Sequence, residues 1–178
     1  ISDILFKENN FVLPTHLIIH GDNLKARWNS VEDSLFNESI KKVTEELTDI
    51  QSYMWPQIHS SYRHTIIISS DVPDLCSQFL LPLLNNIIQS PQRRTRSECM
   101  GPLAIIFAHN SNKVKETVKM CRGHDLKIIE AVGLCGDKKS DLIQGCDILV
   151  TTLPAFTRLT DNISLKLIDM NRLCHVAF

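Results

Sequence analysis

Short apolar, β-branched runs alternate with segments of helical period along this chain, and that alternation leaves few folds open. Leu103–Ala108, Lys127–Val132, Asp147–Thr152 and Cys174–Phe178 are each long enough for one buried strand. Between them, Ser111 to about Cys121, Asp137–Gln144 and Ser164–Asn171 read as helices. Upstream, residues 13–20 (LPTHLIIH) read as a first strand ending at Gly21-Asp22, and Thr65–Ile68 as another. Ser30–Asp49 carries Val31, Leu35, Phe36, Ile40, Val43 and Leu47 at helical spacing, with Ser30 as its cap and Asp33 in the place of a capping-box acid. Ile50–Ile58 reads as a short helical or turn segment interrupted by Pro56, and Leu75–Ile88 as a further helix. Ser90–Pro102, with two prolines, a glycine and three arginines, is the clearest loop. Strands alternating with helices at this spacing imply a parallel sheet covered on both faces, an α/β fold of three layers.

Length and charge narrow the class. A chain of 178 residues suits one domain, and no second boundary or internal repeat is visible. Its 43% hydrophobic and 22% charged residues are those of an ordinary soluble globular protein. A net charge of −1 argues against a strongly basic nucleic-acid grip and leaves room only for a local patch. No apolar run approaches the roughly 20 residues that span a bilayer, so no membrane partner is expected. The chain opens on Ile1 and closes within a strand-like run, so it reads as a fragment of something larger. The six cysteines form no CxxC pair, which fits a reducing compartment and indicates no zinc knuckle. His16 and His20 are four apart but inside a strand-like run, so no metal site is expected.

The stretch from His64 to Leu84 carries the most chemistry. Strand, polar turn Ser69–Asp74 and helix from Leu75 make the layout in which nucleotide-binding proteins place the phosphate loop, GxxxxGK[ST]. The turn contains no glycine and no lysine. The layout is present and its chemistry is missing.

Taken in order, these landmarks resemble the first RecA-like lobe of a DEAD-box RNA helicase, over roughly residues 36–178. Phe36 and Gln51 stand where that family has its upstream aromatic and its adenine-reading glutamine. FLLPLL (79–84) resembles the helix after the phosphate loop, and LAIIFAH (103–109) the strand into the first RNA-contacting motif. Gly133 to Gly136 resembles the paired-glycine turn. CDILVTT (146–152) resembles the strand before the second RNA-contacting motif, and RLCHVAF (172–178) the strand into the Asp-Glu-Ala-Asp box. On this resemblance the phosphate-loop lysine falls at Leu75, the magnesium-binding threonine at Cys76, and the loop glycines at Val72 and Asp74. Ser69, Asp71 and Gln51 complete the degenerate nucleotide site. Leucine brings no charge to the phosphates, cysteine is a poor ligand for hard magnesium, and Asp71 and Asp74 add negative charge. Pro73 removes a backbone donor. No cofactor is therefore expected, with ATP and magnesium weak or absent, and no residue is assigned as catalytic.

By the same positional matching, His109, Asn110, Ser111, Gly133, Gly136, Thr152 and Arg158 are the candidate RNA-binding residues. Thr152 is the one hydroxyl identical to the family pattern, and Leu153-Pro154-Ala155 departs from its Pro-Gly-Arg. Such motifs hold phosphates through backbone amides at helix starts, so contact with single-stranded RNA and ordinary strand-end turns both remain open. Arg93, Arg94 and Arg96 read as a solvated loop or as a phosphate contact, and Lys115 and Lys119 share a helix face turned to RNA or to water.

The decayed phosphate loop, the upstream strand and Met54-Trp55-Pro56 together resemble the Tudor-domain-containing, helicase-like proteins of the piRNA pathway, including the Yb proteins of flies. That resemblance implies one degenerate lobe over 1–178, with 1–30 as a family-specific extension. It implies a catalytically inactive, RNA-associated scaffold in piRNA biogenesis and transposon silencing. The implied partners are piRNA precursors, proteins of that pathway and, by self-association, a second copy of the chain. The implied location is a cytoplasmic, perinuclear ribonucleoprotein granule. A protein-interaction module without RNA, and an ATP-dependent helicase completed from elsewhere, are the rival readings.

Overall fold

The computed structural model describes residues 47–60, 75–91, 101–132, 141–142, 144–162 and 170–178. Two helices come first, α1 (Asp49–Ser60) and α2 (Leu75–Gln89). Then follow β1 (Ala104–Phe107), α3 (Ser111–Cys121), β2 (Ile128–Ala131), β3 (Ile148–Thr151), α4 (Leu153–Asn162) and β4 (His175–Ala177). The strands pair in parallel in the order β2-β3-β1-β4, with Ile105 opposite Leu149 and Val176, and Leu149 opposite Ile129.

Strand periodicity sorts the core into two faces. Ala104 and Ile106 of β1 and Ile148 and Val150 of β3 pack with Trp55, Leu84, Ile87, Val114 and Val118, from helices α1, α2 and α3. The alternate residues, Ile105 and Leu149, pack with Ile129, Ala131, Ala155 and Leu159 on the other face, under α4. The sheet is thus covered on both sides, as the alternation of runs implies. Ile148, Leu149 and Val150 are each fully buried, which is why β3 reads as a continuous apolar run.

Several expectations need correction. Pro56 does not interrupt the second segment: α1 is continuous from Asp49 to Ser60. Residues 51–56 are all buried, and their packing against α2 outweighs the roughly 3 kcal/mol a helical proline costs. The helix expected to end at Asp49 does not include Leu47 or Thr48, and its earlier part lies outside the described residues. Leu153–Asn162 forms a helix where none is expected. Of the helix expected over Ser164–Asn171, residues 164–169 lie outside the described part, and Met170–Arg172 form a 3-10 turn. Of the expected helix Asp137–Gln144, residues 141–142 are helical and Gln144 lies in a turn. The expected strands at 13–20 and Thr65–Ile68 lie outside the described residues.

At the edge where the strands begin, Asp147 ties three segments together. Its carboxylate accepts the Lys127 amide N–H at 2.9 Å and faces the Arg172 guanidinium at 4.0 Å. Arg172 in turn donates to the Gly101 carbonyl at 3.2 Å.

Candidate functional site

Ligands of parallel α/β sheets bind beyond the carboxyl ends of the strands, because helix N-termini gather there. In this chain β1 and β3 are neighbours in register, with Phe107 opposite Thr151. The helices that follow them, α3 and α4, therefore both start on one edge. Ala108 extends the ladder by donating to the Thr151 carbonyl at 2.8 Å, and the chain then turns through His109 and Asn110, both exposed.

Each helix start is capped by the residue before it. Asn110, extended at φ −149 and ψ 170, accepts the Lys113 amide on its side-chain oxygen at 2.9 Å. Thr152 accepts the Ala155 amide on Oγ1 at 3.3 Å, and the Phe156 amide on its carbonyl at 2.9 Å. Its neighbour Thr151 is fully buried and turns its hydroxyl inward, donating to the Ala131 carbonyl at 2.8 Å. Caps of this kind leave the first two amides of a helix pointing outward. Those are Ser111 and Asn112 in α3, and Leu153 in α4, where Pro154 has no N–H to offer. Neither helix carries an acidic residue in its first turn, so no carboxylate there offsets the positive helix ends.

Three phenylalanines brace this edge. The Phe107 ring meets Phe156 edge-on, with centroids 5.2 Å apart and planes at 88°, and stacks on Phe178 at 5.0 Å and 13°. Because Phe156 lies in the first turn of α4, the contact fixes that helix start against the ends of β1 and β4. This cluster comes from three separate elements and had no signal in the sequence beyond the residue type.

The structure brings His109, Asn110, Ser111 and Thr152 to one edge, with Arg158 exposed on the second turn of α4. Gly133 and Gly136 lie outside the described residues. So do Ser69, Asp71, Val72 and Asp74 of the degenerate phosphate loop. Leu75 opens α2, and Cys76 is half-buried in its first turn.

Gln51 sits in the first turn of α1. Its side-chain oxygen accepts the Thr48 amide at 2.9 Å, and the Gln51 amide donates to Thr48 Oγ1 at 3.3 Å. That reciprocal pair is a capping box for α1. Among the described residues no group of three His, Cys, Asp or Glu is placed to hold a metal ion. Nor is any described helix long and apolar enough to cross a membrane.

No protein-family model matches the chain, and no curated protein does. Among solved structures it is similar to the yeast DEAD-box splicing factor Prp28, with 22% identity over 83% of this chain and a TM-score of 0.65. The match spans 36% of the length of that protein. Parallel order, helices on both faces and this likeness together give the chain a RecA-like α/β fold.

Proposed function

We propose that this lobe holds single-stranded RNA on the edge formed by His109–Ser111 and Thr152, without hydrolysing ATP, as a scaffold in piRNA biogenesis. The observation that supports RNA there is the pair of adjacent helix starts, Asn110-capped and Thr152-capped, with outward amides and no first-turn acid. Backbone donors of that kind grip phosphates whatever the base sequence.

The residues at the nucleotide positions do not fit a magnesium nucleotide. Leu75 offers no charge, the Cys76 sulfur is too soft for magnesium, and the sequence from Ser69 to Asp74 has neither glycine nor lysine. The piRNA pathway, its proteins as partners and a perinuclear cytoplasmic granule follow from the resemblance of the sequence to the Tudor-containing helicase-like proteins.

Fluorescence anisotropy on the intact chain tests the biochemical core. Salt-dependent binding of oligouridine, with no uptake of a labelled ATP analogue in magnesium, is the expected result. ATP turnover, or tight analogue binding that vanishes on Leu75→Ala, would overturn it. Crosslinking from gonadal cells followed by sequencing tests the pathway, where recovery of transcripts unrelated to piRNA precursors would remove that part.

A second reading has its own observation. Leu153, Val176 and Phe178 are large apolar residues exposed by 57%, 48% and 84%, and such exposure suits a protein contact or self-association. Sedimentation across a concentration series separates the two readings, since a monomer that binds RNA leaves this one without support.

A further inference from the structure

A row of exposed positive charge runs along α3, away from the edge just described. Lys115, Lys119 and Arg122 are all exposed and spaced four and three residues apart, so they share one face over about 10 Å. Val114, Val118 and Cys121, about a quarter-turn round the helix, are buried in the core, while the three cations are exposed to solvent. The carboxylate among them, Glu116, is bonded to Lys113. Among the described residues no acid pairs with the other three.

Like charges stacked at this spacing destabilise a helix. The negative C-terminal end of α3 offsets that for Lys119 and Arg122 in and just after the last turn, but not for Lys115 in the middle. Past the helix the row continues: Arg122, His124 and Lys127 line an open pocket of about 340 Å³ at the opposite edge of the sheet. His124 Nδ1 is buried in that turn without a partner among the described residues. The pocket also has two carboxylates, Asp125 and Asp147, and Asp147 is engaged by the Lys127 amide and Arg172.

We propose that Lys115, Lys119 and Arg122 form a track for the phosphate backbone of single-stranded RNA, leading from the Asn110 edge along α3 to the pocket bounded by Arg122 and Lys127. The proposal rests on the RNA reading above and adds a second contact surface to it. An extended single strand suits the row because its phosphates follow one another in single file, as these cations do. An anionic membrane suits it less. A helix lying on a bilayer needs its apolar face outward, whereas this one is buried and, among the described residues, Met120, 37% exposed, is the one exposed large apolar residue on this helix.

The test uses the intact chain, fluorescein-labelled oligouridine and a potassium chloride series. The variant Lys115→Gln/Lys119→Gln/Arg122→Gln keeps long polar side chains at exposed positions, and Lys115→Gln alone is the milder control. Each single-strand phosphate contact contributes about 0.7 to the slope of log affinity against log salt, so the triple variant is expected to lower that slope by about 2 and the single variant by about 0.7. An unchanged slope and affinity would overturn the track. Asn110→Asp, at the sheet edge, serves as the comparison. If it weakens binding and the triple variant does not, the edge binds RNA and the track falls. If only the triple variant weakens binding, the track stands and the edge reading falls. A wild-type chain that binds no oligouridine removes both. Vesicles containing phosphatidylserine complete the set: capture that depends on the three cations while RNA binding does not would assign the row to a membrane and overturn the proposal.

Discussion

Trp55 donates its indole N–H to the backbone carbonyl of Gln78, and that carbonyl is the one Pro82 leaves without a donor. In an α-helix the amide four residues on would fill it, and proline has none. A side chain from α1 thus mends the hydrogen-bond ladder of α2, and the apolar helix from Leu75 to Gln89 runs through its proline unbroken. Trp55 is fully buried and Gln78 half-buried, so the bond is partly shielded from water.

The repair makes two residues on different helices interdependent. Trp55→Phe keeps most of the ring and loses the donor, at an expected cost of about 1–3 kcal/mol for the orphaned carbonyl. Pro82→Ala returns an amide to that position, so Trp55→Phe should cost at least about 1 kcal/mol less in its background. Urea denaturation of the four proteins in the cycle measures this. Strict additivity would show that the indole contributes packing alone.

The Thr48–Gln51 box predicts a stability effect where the family resemblance predicts a nucleotide effect. Thr48→Ala and Gln51→Ala should each lower stability by about 1 kcal/mol, and Gln51→Glu should restore it, since glutamate serves equally at that position of the box. Thermal denaturation gives the answer. A Gln51→Ala protein with unchanged melting and altered ATP-analogue binding would return Gln51 to adenine recognition.

Elements whose burial is one-sided or complete were legible in the sequence, and those defined by contact across elements were not. Ser111–Cys121 shows its period in Val114, Val118 and Cys121, and the structure gives it those bounds. The four described strands lie inside the expected runs, trimmed by one residue at each end. Leu153–Asn162 escaped because it buries little beyond Ala155 and Leu159 and is rich in threonine, with Pro154 resembling a turn residue. Proline is tolerated in the first turn of a helix, where no intrahelical amide is missed. At the candidate site, the positions after β1 and β3 could be read from the sequence. That Asn110 would spend its side chain on the Lys113 amide, or that Phe107 would gather Phe156 and Phe178, depended on chain segments meeting in space.

Two buried thiols set the alkaline limit of the fold. Burial pushes Cys121 up to about 12, with the nearby Cys76 adding to it, and burial does the same to Cys146, which also lies beside Asp147. In the unfolded chain both ionise near 8.5. Between these values the unfolded state has lost a proton that the folded state keeps, so stability falls as pH rises, by about 1.4 kcal/mol per pH unit for each thiol. Denaturation midpoints measured above pH 9 should therefore drop steeply, and Cys146→Ala should flatten the drop by about half. A slope unaffected by the substitution would place the alkaline limit elsewhere.

His175, on the strand beside β1, works at the other end of the scale. Burial lowers its pKa below the ordinary value of 6.5, so the folded state resists a proton that the unfolded chain accepts. The contribution is intact above about 6.5 and is lost as pH falls through that value toward the depressed folded pKa. His175→Gln should reduce the acid-side decline in stability while leaving the midpoint at neutral pH nearly unchanged. Proton titration by NMR checks the direction, and a His175 that titrates at or above 6.5 contradicts it.

Asn110 separates capping from phosphate contact, because two substitutions there act on different quantities. Aspartate caps a helix as well as asparagine does and favours the positive helix end, so Asn110→Asp should leave the melting temperature unchanged or slightly raised. The same substitution sets a carboxylate at an edge whose two helix starts have no first-turn acid, where it would repel a phosphate. RNA affinity should fall several-fold. Asn110→Ala removes the cap for the Lys113 amide and should cost about 1 kcal/mol of stability, yet it adds no charge and frees one more donor. Its RNA affinity should stay near that of the wild type once folding is taken into account. The stability order and the affinity order of the two variants are thus opposite, which a purely structural turn would not produce. Equal affinity in both would remove the phosphate from this edge.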